Sequence, residues 1–296
     1  MLTKVRSFFS AHRAARVAVP VLLALLALVL LLRPYGTQTY LVLGMDNYGS
    51  LDETGRSDVM MLVQLNFTRS RITGVTFARD MFIDNEEGRE TKINTIVRSS
   101  SEESLVSALE KDFQLDIDGW FRVNFTTVIE LVDALGGAKV ELTEKEVAYI
   151  NRNVGYYNEN PLAEGECLLN GAQALCYARC RQLDNDIGRG QRQSKLLSGM
   201  VNSVRHMSLA RIGDVFSSMK HAWRSSLSAG EQVRLLSQVI WLRGAKVESV
   251  GVPFEGTWRY GNSKKGDNGI LIKQDENTRL LHEALGLPSP APVSES

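Results

Sequence analysis

Between Arg16 and Arg33 the chain carries sixteen apolar residues without a break, VAVPVLLALLALVLLL at 17–32. A run of this kind either crosses a membrane or is removed as a leader. Sixteen residues are short for a span. The arginine stems at both ends can snorkel toward the headgroups, and Tyr35 suits the interface. Pro20 is tolerated in a membrane helix. The leader reading lacks a small-residue cleavage site, because Arg-Pro-Tyr-Gly follows the run. We therefore read 17–33 as a retained transmembrane helix. Lys4, Arg6, Arg13 and Arg16 give residues 1–16 four positive charges and no acid, so this head is expected in the cytoplasm and the rest of the chain outside it.

The basic head hides an asymmetry, since the formal net charge of all 296 residues is zero. Beyond residue 16, 30 basic side chains meet 34 acidic ones. A body of that sign excludes bulk nucleic-acid binding, which needs a basic surface, so no nucleic-acid partner is expected. TYLVLGMD (39–46), VMMLVQLNF (59–67), RITGVTFARD (71–80), KVEL (139–142) and VESVGVPF (247–254) predict strands. Helical spacing marks 101–113, 125–137, 170–179, 192–207, 230–242 and 276–286. The expected fold class is α/β: a single extracytoplasmic domain at 37–287, with a central mixed sheet flanked by helices, preceded by one N-terminal transmembrane helix. Residues 288–296 read as a disordered tail, and GTWRYGNSKKGDNG (256–269) as a surface loop with a minor chance of contacting an acceptor glycan.

Charge collects where strands end. Asp46 closes one strand, Arg56, Ser57 and Asp58 precede the next, and Arg79 with Asp80 closes a third. In open α/β sheets ligands settle at such ends. Carboxylates there suit a hard divalent cation, Mg²⁺ or Mn²⁺, with Asp46 and Asp58 as the candidate metal ligands. Guanidinium groups beside them suit phosphate, gripping its oxygens in pairs. Lys92 and Asn94 lie nearby in sequence. CYARCRQLDNDIGRGQRQ (176–193) adds four arginines with no lysine or glutamate. Arg189, Arg192 and Gln193 share a helical face by three-and-four spacing. Arg179 and Arg181 reach one pocket only if the chain is extended near Tyr177. A solvated helix face competes with an anion clamp for this stretch.

Other chemistry finds little support. His12, His206, His221 and His282 lie outside these motifs, against a catalytic triad. Cys167, Cys176 and Cys180 form no CxxC pair. One disulfide with a spare thiol and buried free thiols both fit their spacing. Trp241 and Trp258 read as core or rim.

The ordered set GMD, GRSDVMMLVQLN, FARDMFID, KINT, NFTTVIELVDALGGAKVEL and LLNGAQALCYARCRQLDNDIGRGQRQSKLL resembles the LytR-CpsA-Psr family over about residues 39 to 200, and more loosely to Gly286. The resemblance implies a membrane-anchored phosphotransferase of a Gram-positive type envelope. Such an enzyme moves an anionic glycopolymer, teichoic acid or capsular, from an undecaprenyl pyrophosphate carrier to the muramic acid 6-hydroxyl of peptidoglycan. Polyprenyl pyrophosphate-linked glycopolymer, peptidoglycan and membrane lipid would be the partners. Asp46 and Asp58 would hold Mg²⁺, and Arg56, Arg79, Lys92, Arg179, Arg181, Arg189, Arg192 and Gln193 would grip the pyrophosphate. Asp58 or Asp80 would take the acceptor's proton, and pyrophosphate hydrolysis is an expected side reaction. The helices at 101–113, 125–135 and 192–207 are candidate walls of a polyprenyl tunnel. The sequence departs from the family at two places. Ala78 replaces a usual proline, which is expected to loosen the turn, and Tyr48-Gly49 stands where many members carry a further arginine. A non-catalytic binder of polyprenyl phosphates, with a regulatory or scaffold role, is the alternative.

Overall fold

The computed structural model describes residues 33–48, 51, 57–154, 161–180, 182–183, 186–219 and 221–291. Thr37–Ser296 forms one compact unit, separate from Met1–Gly36. The expected span at 17–32 lies outside the described residues, and no described helix is long and apolar enough to cross a membrane.

Near-continuous apolar runs make the first three strands, with β3 buried on both faces. β1 (Thr37–Met45) pairs antiparallel with β2 (Ser57–Asn66), and β2 with β3 (Arg71–Phe77). A short hairpin of β4 (Phe82–Asp84) and β5 (Glu90–Lys92) leads into α1 (Ile93–Ser99) and α2 (Glu102–Phe113). β6 (Gly119–Val123) then lies parallel to β1. Next come α3 (Phe125–Ala134), β7 (Ala138–Leu142), α4 (Glu144–Asn153), β8 (Gly165–Leu169) and α5 (Gly171–Arg179). The chain continues through α6 (Asp186–Arg205), α7 (Leu209–Met219), β9 (Arg224–Ser225), α8 (Ala229–Val239) and β10 (Lys246–Val252). A hairpin, β11 (Trp258–Asn262) and β12 (Asn268–Ile272), precedes α9 (Gln274–Leu285).

The central sheet runs β10–β3–β2–β1–β6–β9 and is mixed, as expected, with β10–β3 and β1–β6 parallel. One face carries Leu41, Leu43, Met60, Leu62, Val75 and Phe77 onto α1, α2 and α9, through Ile93, Leu105, Phe113 and Leu281. Helix α2 is therefore core on this face; the expectation that 101–113 walls a lipid tunnel gives way to that packing. On the opposite face α6 covers β3 and β10, with Leu197 over Gly74. Side chains account for the helix starts. Asn124 with Thr127, Thr143 with Glu146, and Asn170 with Gln173 form reciprocal caps that satisfy the first free amides of α3, α4 and α5. Gly171 lets α5 close on α3, since a Cβ there would sit 2.3 Å from the Ile129 carbonyl oxygen.

Several expectations are revised. Residues 256–269 are largely the β11–β12 hairpin, because Trp258 pairs with Ile272 and Tyr260 with Ile270 across it. The helix expected at 192–207 starts at Asp186, and the one at 125–137 stops at Ala134 before Gly136 and Gly137, both at positive φ. Residues 288–291 are held in place: Pro288 O meets His282 Nδ1, and Ala291 exchanges two hydrogen bonds with Gln114. All three cysteines are free.

Candidate active site

The carboxyl ends of β1, β3, β6 and β10 and the amino end of β2 share one edge of the sheet, as the pairings Met45–Ser57, Gly44–Val123 and Phe77–Val252 require. The strand-end charges converge there. Arg79 follows β3 on a turn closed by Met81 N to Ala78 O at 3.1 Å, and its carbonyl accepts from Asn94 N at 3.3 Å. Ala78 donates its own N–H to Val252 O at 2.8 Å, adding a rung between β3 and β10 that proline lacks the hydrogen to make. The alanine ties the turn to β10 where loosening was expected.

Arg79 Nη1 pairs with Asp58 Oδ1 at 2.8 Å, and its Nε lies 3.5 Å from Asp80 Oδ2. Lys92 Nζ stands 3.8 Å from Asp80 Oδ1, extending the row to Lys92–Asp80–Arg79–Asp58. Arg189, buried on the first turns of α6, donates to the Asp58 carbonyl at 3.3 Å. Across the edge Arg179, the last residue of α5, pairs with Asp46 Oδ1 at 3.3 Å. Its guanidinium lies 4.0 Å over the Phe125 ring, whose neighbour Tyr48 meets it edge-on at 5.0 Å. Stacking of this kind holds an arginine flat while its edge stays open to a ligand. Four cations thus share this edge with three carboxylates, which favours a multiply charged anion.

Not every predicted residue belongs to this set. Arg192 turns inward: Nη2 donates to Cys180 O at 2.8 Å and Nη1 stands 3.8 Å from Glu146 Oε1, so the residue braces α5, α6 and α4. A helical face specifies neighbours along the helix but does not say which way it looks. Gln193, also buried, donates to Ala178 O at 3.4 Å. Helix α5 persists to Arg179 and the chain extends only at Cys180, not near Tyr177. Arg56 and Arg181 lie outside the described residues. Burial, then the nearby Cys180, pushes the Cys176 thiol up to about 11, leaving no thiolate nucleophile at neutral pH. Sequence reasoning missed Phe125 and Asn47. An aromatic opening a capped helix signals only core, and an asparagine after a strand signals only a turn.

The acidic pair fits a divalent cation in donor chemistry. Asp46 and Asp58 leave adjacent strands beside the Met45–Ser57 pairing. Asn47 keeps Oδ1 buried with no hydrogen-bond partner among the described residues, a further hard oxygen next to Asp46. No group of three or more His, Cys, Asp or Glu side chains able to hold a metal occurs among the described residues. That is compatible with Mg²⁺, which is commonly held by one or two carboxylates plus phosphate oxygens and water.

An apolar strip adjoins the site. Val42 pairs with Phe121, and Gly44 with both Val59 and Val123, so these residues share one face of the sheet, opposite Leu41 and Leu43. Val42, Val59, Phe121 and Val123 are only half-buried although they sit mid-sheet. The strip begins one residue from Asp58 and two from Asp46 and runs under β1, β2 and β6.

The domain is thus an open α/β sheet whose strand ends gather arginines around paired carboxylates, next to half-buried apolar surface. Residues 29–278 match the LytR_cpsA_psr family, and the chain belongs to it. It is 24% identical over 220 residues, 72% of this chain and 55% of the relative, to the polyisoprenyl-teichoic acid–peptidoglycan teichoic acid transferase TagV of Bacillus subtilis. It is 29% identical over 196 residues, 64% of this chain and 60% of the relative, to the enzyme named TagU of Bacillus cereus. Both matches span less than two thirds of the relatives' own length. A solved structure of the LytR-CPS2A-psr family protein YwtF (TagT) with bound octaprenyl pyrophosphate lipid shares the fold, with a TM-score of 0.64 and 22% identity over 85% of this chain and 91% of that one.

Proposed function

We propose that the chain is a membrane-anchored phosphotransferase. It would move an anionic glycopolymer, teichoic acid or capsular in type, from an undecaprenyl pyrophosphate carrier to the muramic acid 6-hydroxyl of peptidoglycan. One observation carries the reading: the Arg79–Asp58 pair at 2.8 Å, with Arg189 on the same aspartate, adjoins a half-buried apolar strip. Clamp and strip match the head and tail of a polyprenyl pyrophosphate. The names of the relatives, and the lipid bound to YwtF, support the same substrate class. In this reading residues 17–33 anchor the domain outside the membrane of a Gram-positive type envelope.

In the transfer, the acceptor hydroxyl oxygen forms a bond to the sugar-bearing phosphorus. The bond from that phosphorus to the bridging oxygen breaks, polyprenyl phosphate leaves, and Asp58 or Asp80 takes the hydroxyl proton. The protein supplies no nucleophile, so positioning and charge stabilisation carry the catalysis. Arg79, Arg179 and Arg189 are placed to hold the phosphate oxygens, with Lys92 at the edge. Asp46 and Asp58, with Asn47, would hold Mg²⁺, which when bound neutralises the pyrophosphate and polarises its leaving group. Carboxylates engaged by a cation also leave their arginine partners to the phosphate. Water replacing the acceptor hydroxyl would give the hydrolytic side reaction.

The second reading is a non-catalytic binder. It rests on Tyr48, whose exposed ring stands beside the Asp46–Arg179 pair where many family members carry an arginine. One assay separates the two readings. Full-length protein in detergent receives a polyprenyl pyrophosphate-linked saccharide, a soluble peptidoglycan acceptor and Mg²⁺. Transfer that depends on the metal, and that falls about 10²–10³-fold in Arg79→Ala, is expected for the transferase. Tight lipid binding without transfer by the native protein would establish the binder.

A further inference from the structure

Beyond the clamp, on the β3–β10 side of α6, lies a cavity of about 400 Å³, within the size range of small-ligand sites. Three small residues hollow it out. Thr76 and Gly251 are register partners on β3 and β10, so both face α6, and Gly190 of α6 approaches so closely that a Cβ there would lie 3.3 Å from Thr76 Cγ2. A Cβ at Gly251 would meet nothing within 4 Å. That side of β10 is therefore open space where a larger residue would have fitted without backbone strain.

The walls are of two kinds. Phe254 and Trp258, both half-buried against the core, also line the cavity, and Trp258 meets Tyr260 edge-on with centroids 5.1 Å apart and planes at 89°. Gln191 and Glu255, both exposed, supply amide and carboxylate groups at the rim. A polyprenyl chain calls for unbroken apolar lining, as on the Val42–Val123 strip. A hexosamine ring calls for an indole for its C–H face and polar groups for its hydroxyl and acetamido edge, and both kinds of residue line this cavity. Arg189 and Gln193 also line the cavity, and Ala78 on its wall immediately precedes Arg79. Cavity and clamp therefore share a wall, while the apolar strip leaves the clamp beneath β1, β2 and β6.

We propose that this cavity is the subsite for a hexosamine ring of the acceptor glycan, with Trp258 as its stacking platform. The proposal rests on the transferase reading for the word acceptor, but the sugar site itself does not. A donor whose lipid lies along the strip leaves the β3–β10 side of the phosphate open to the attacking hydroxyl. A glycan seated on Trp258 would bring that hydroxyl in past Arg189. The first sugar of the donor has the same chemistry, so the test must separate the two sources.

The test uses full-length protein in detergent, a soluble N-acetylglucosamine–N-acetylmuramic acid tetrasaccharide as acceptor probe, and a short polyprenyl pyrophosphate-linked saccharide as donor. Trp258→Ala removes the platform. Gly251→Leu fills the cavity from a strand position with room for it, and decides the matter if the tryptophan variant fails to fold. Saturation-transfer NMR with tetrasaccharide alone should show binding to the native protein, weakened about tenfold or more in either variant. Steady-state kinetics should show acceptor KM raised by a similar factor, with donor KM and kcat within about twofold. Tetrasaccharide binding unchanged in Gly251→Leu overturns the proposal. So does a rise in donor KM in place of acceptor KM, which would give the cavity to the donor sugar. If the native protein binds the tetrasaccharide through these residues yet transfers nothing, the transferase reading falls and the saccharide site stands.

Discussion

Arg192 is 4% exposed, with the Cys180 carbonyl at 2.8 Å and the Glu146 carboxylate at 3.8 Å. Arg179 is 47% exposed, stacked on Phe125 and paired with Asp46 at 3.3 Å. The same side chain thus serves as an internal brace in one place and as a surface grip in the other. Removing the brace leaves a buried carboxylate and a buried carbonyl short of a cation. Arg192→Leu is therefore expected to lose about 2–4 kcal/mol of stability in urea unfolding. Its kcat/KM, corrected for the folded fraction, should stay within about threefold of native, because no substrate atom is lost. Native stability with a fall in kcat/KM as deep as that of Arg79→Ala would instead put Arg192 against the substrate.

Helix α2 shows a local conflict that sets a pH dependence. Asp112 sits in its last turn, where the exposed carbonyls disfavour a negative charge, and its Oδ2 accepts from Asp84 N at 2.8 Å. Burial, with help from the Asp84 charge, raises its carboxyl to about 6. The folded state then holds a proton that the unfolded chain, titrating near 3.9, has already released. Between about pH 4 and 6 stability should fall as pH rises, and the lost increment is present in full only below the lower value. Asp112→Asn keeps an acceptor for Asp84 N and removes the charge. It should raise Tm at pH 7.5 and flatten the Asp112 contribution between pH 4 and 6; thermal melts of the two proteins across that range decide it. Elements like this also mark what sequence reveals. β1, β2 and β3 were legible because each is an apolar run with charge at one end, and Asp58, Arg79 and Asp80 followed from those ends. β6 was not, since GWFRV is short, opens on glycine and buries an arginine whose partner is Glu102, twenty residues away. The β11–β12 hairpin hid behind its Ser, Lys and Gly turn. Asp46 and Arg179 were both visible, but their pairing, 133 residues apart in sequence, is a property of the folded sheet.

At the scale of the molecule, the described core draws on residues from Tyr40 to Leu285, all within Thr37–Ser296, which is a compact unit by itself. A protein consisting of residues 37–296 should therefore melt within a few degrees of the full chain. Its kinetics should differ only where the membrane matters. In the proposed function an anchor at 17–33 would confine the domain to the surface that holds the lipid donor, and tethering raises effective concentration without any new contact. With a long-chain donor embedded in phosphatidylglycerol vesicles, removing residues 1–36 should lower turnover about tenfold or more. With a short-chain donor soluble in buffer, the two proteins should turn over alike, because Arg79, Asp58, Arg179 and the Val42–Val123 strip all lie in the retained domain. Equal turnover on vesicles would remove the anchoring role from the N-terminal segment. A large loss of Tm would instead make that segment part of the folding unit. The paired assay thus separates what the domain does to a phosphate from what the membrane does for the domain.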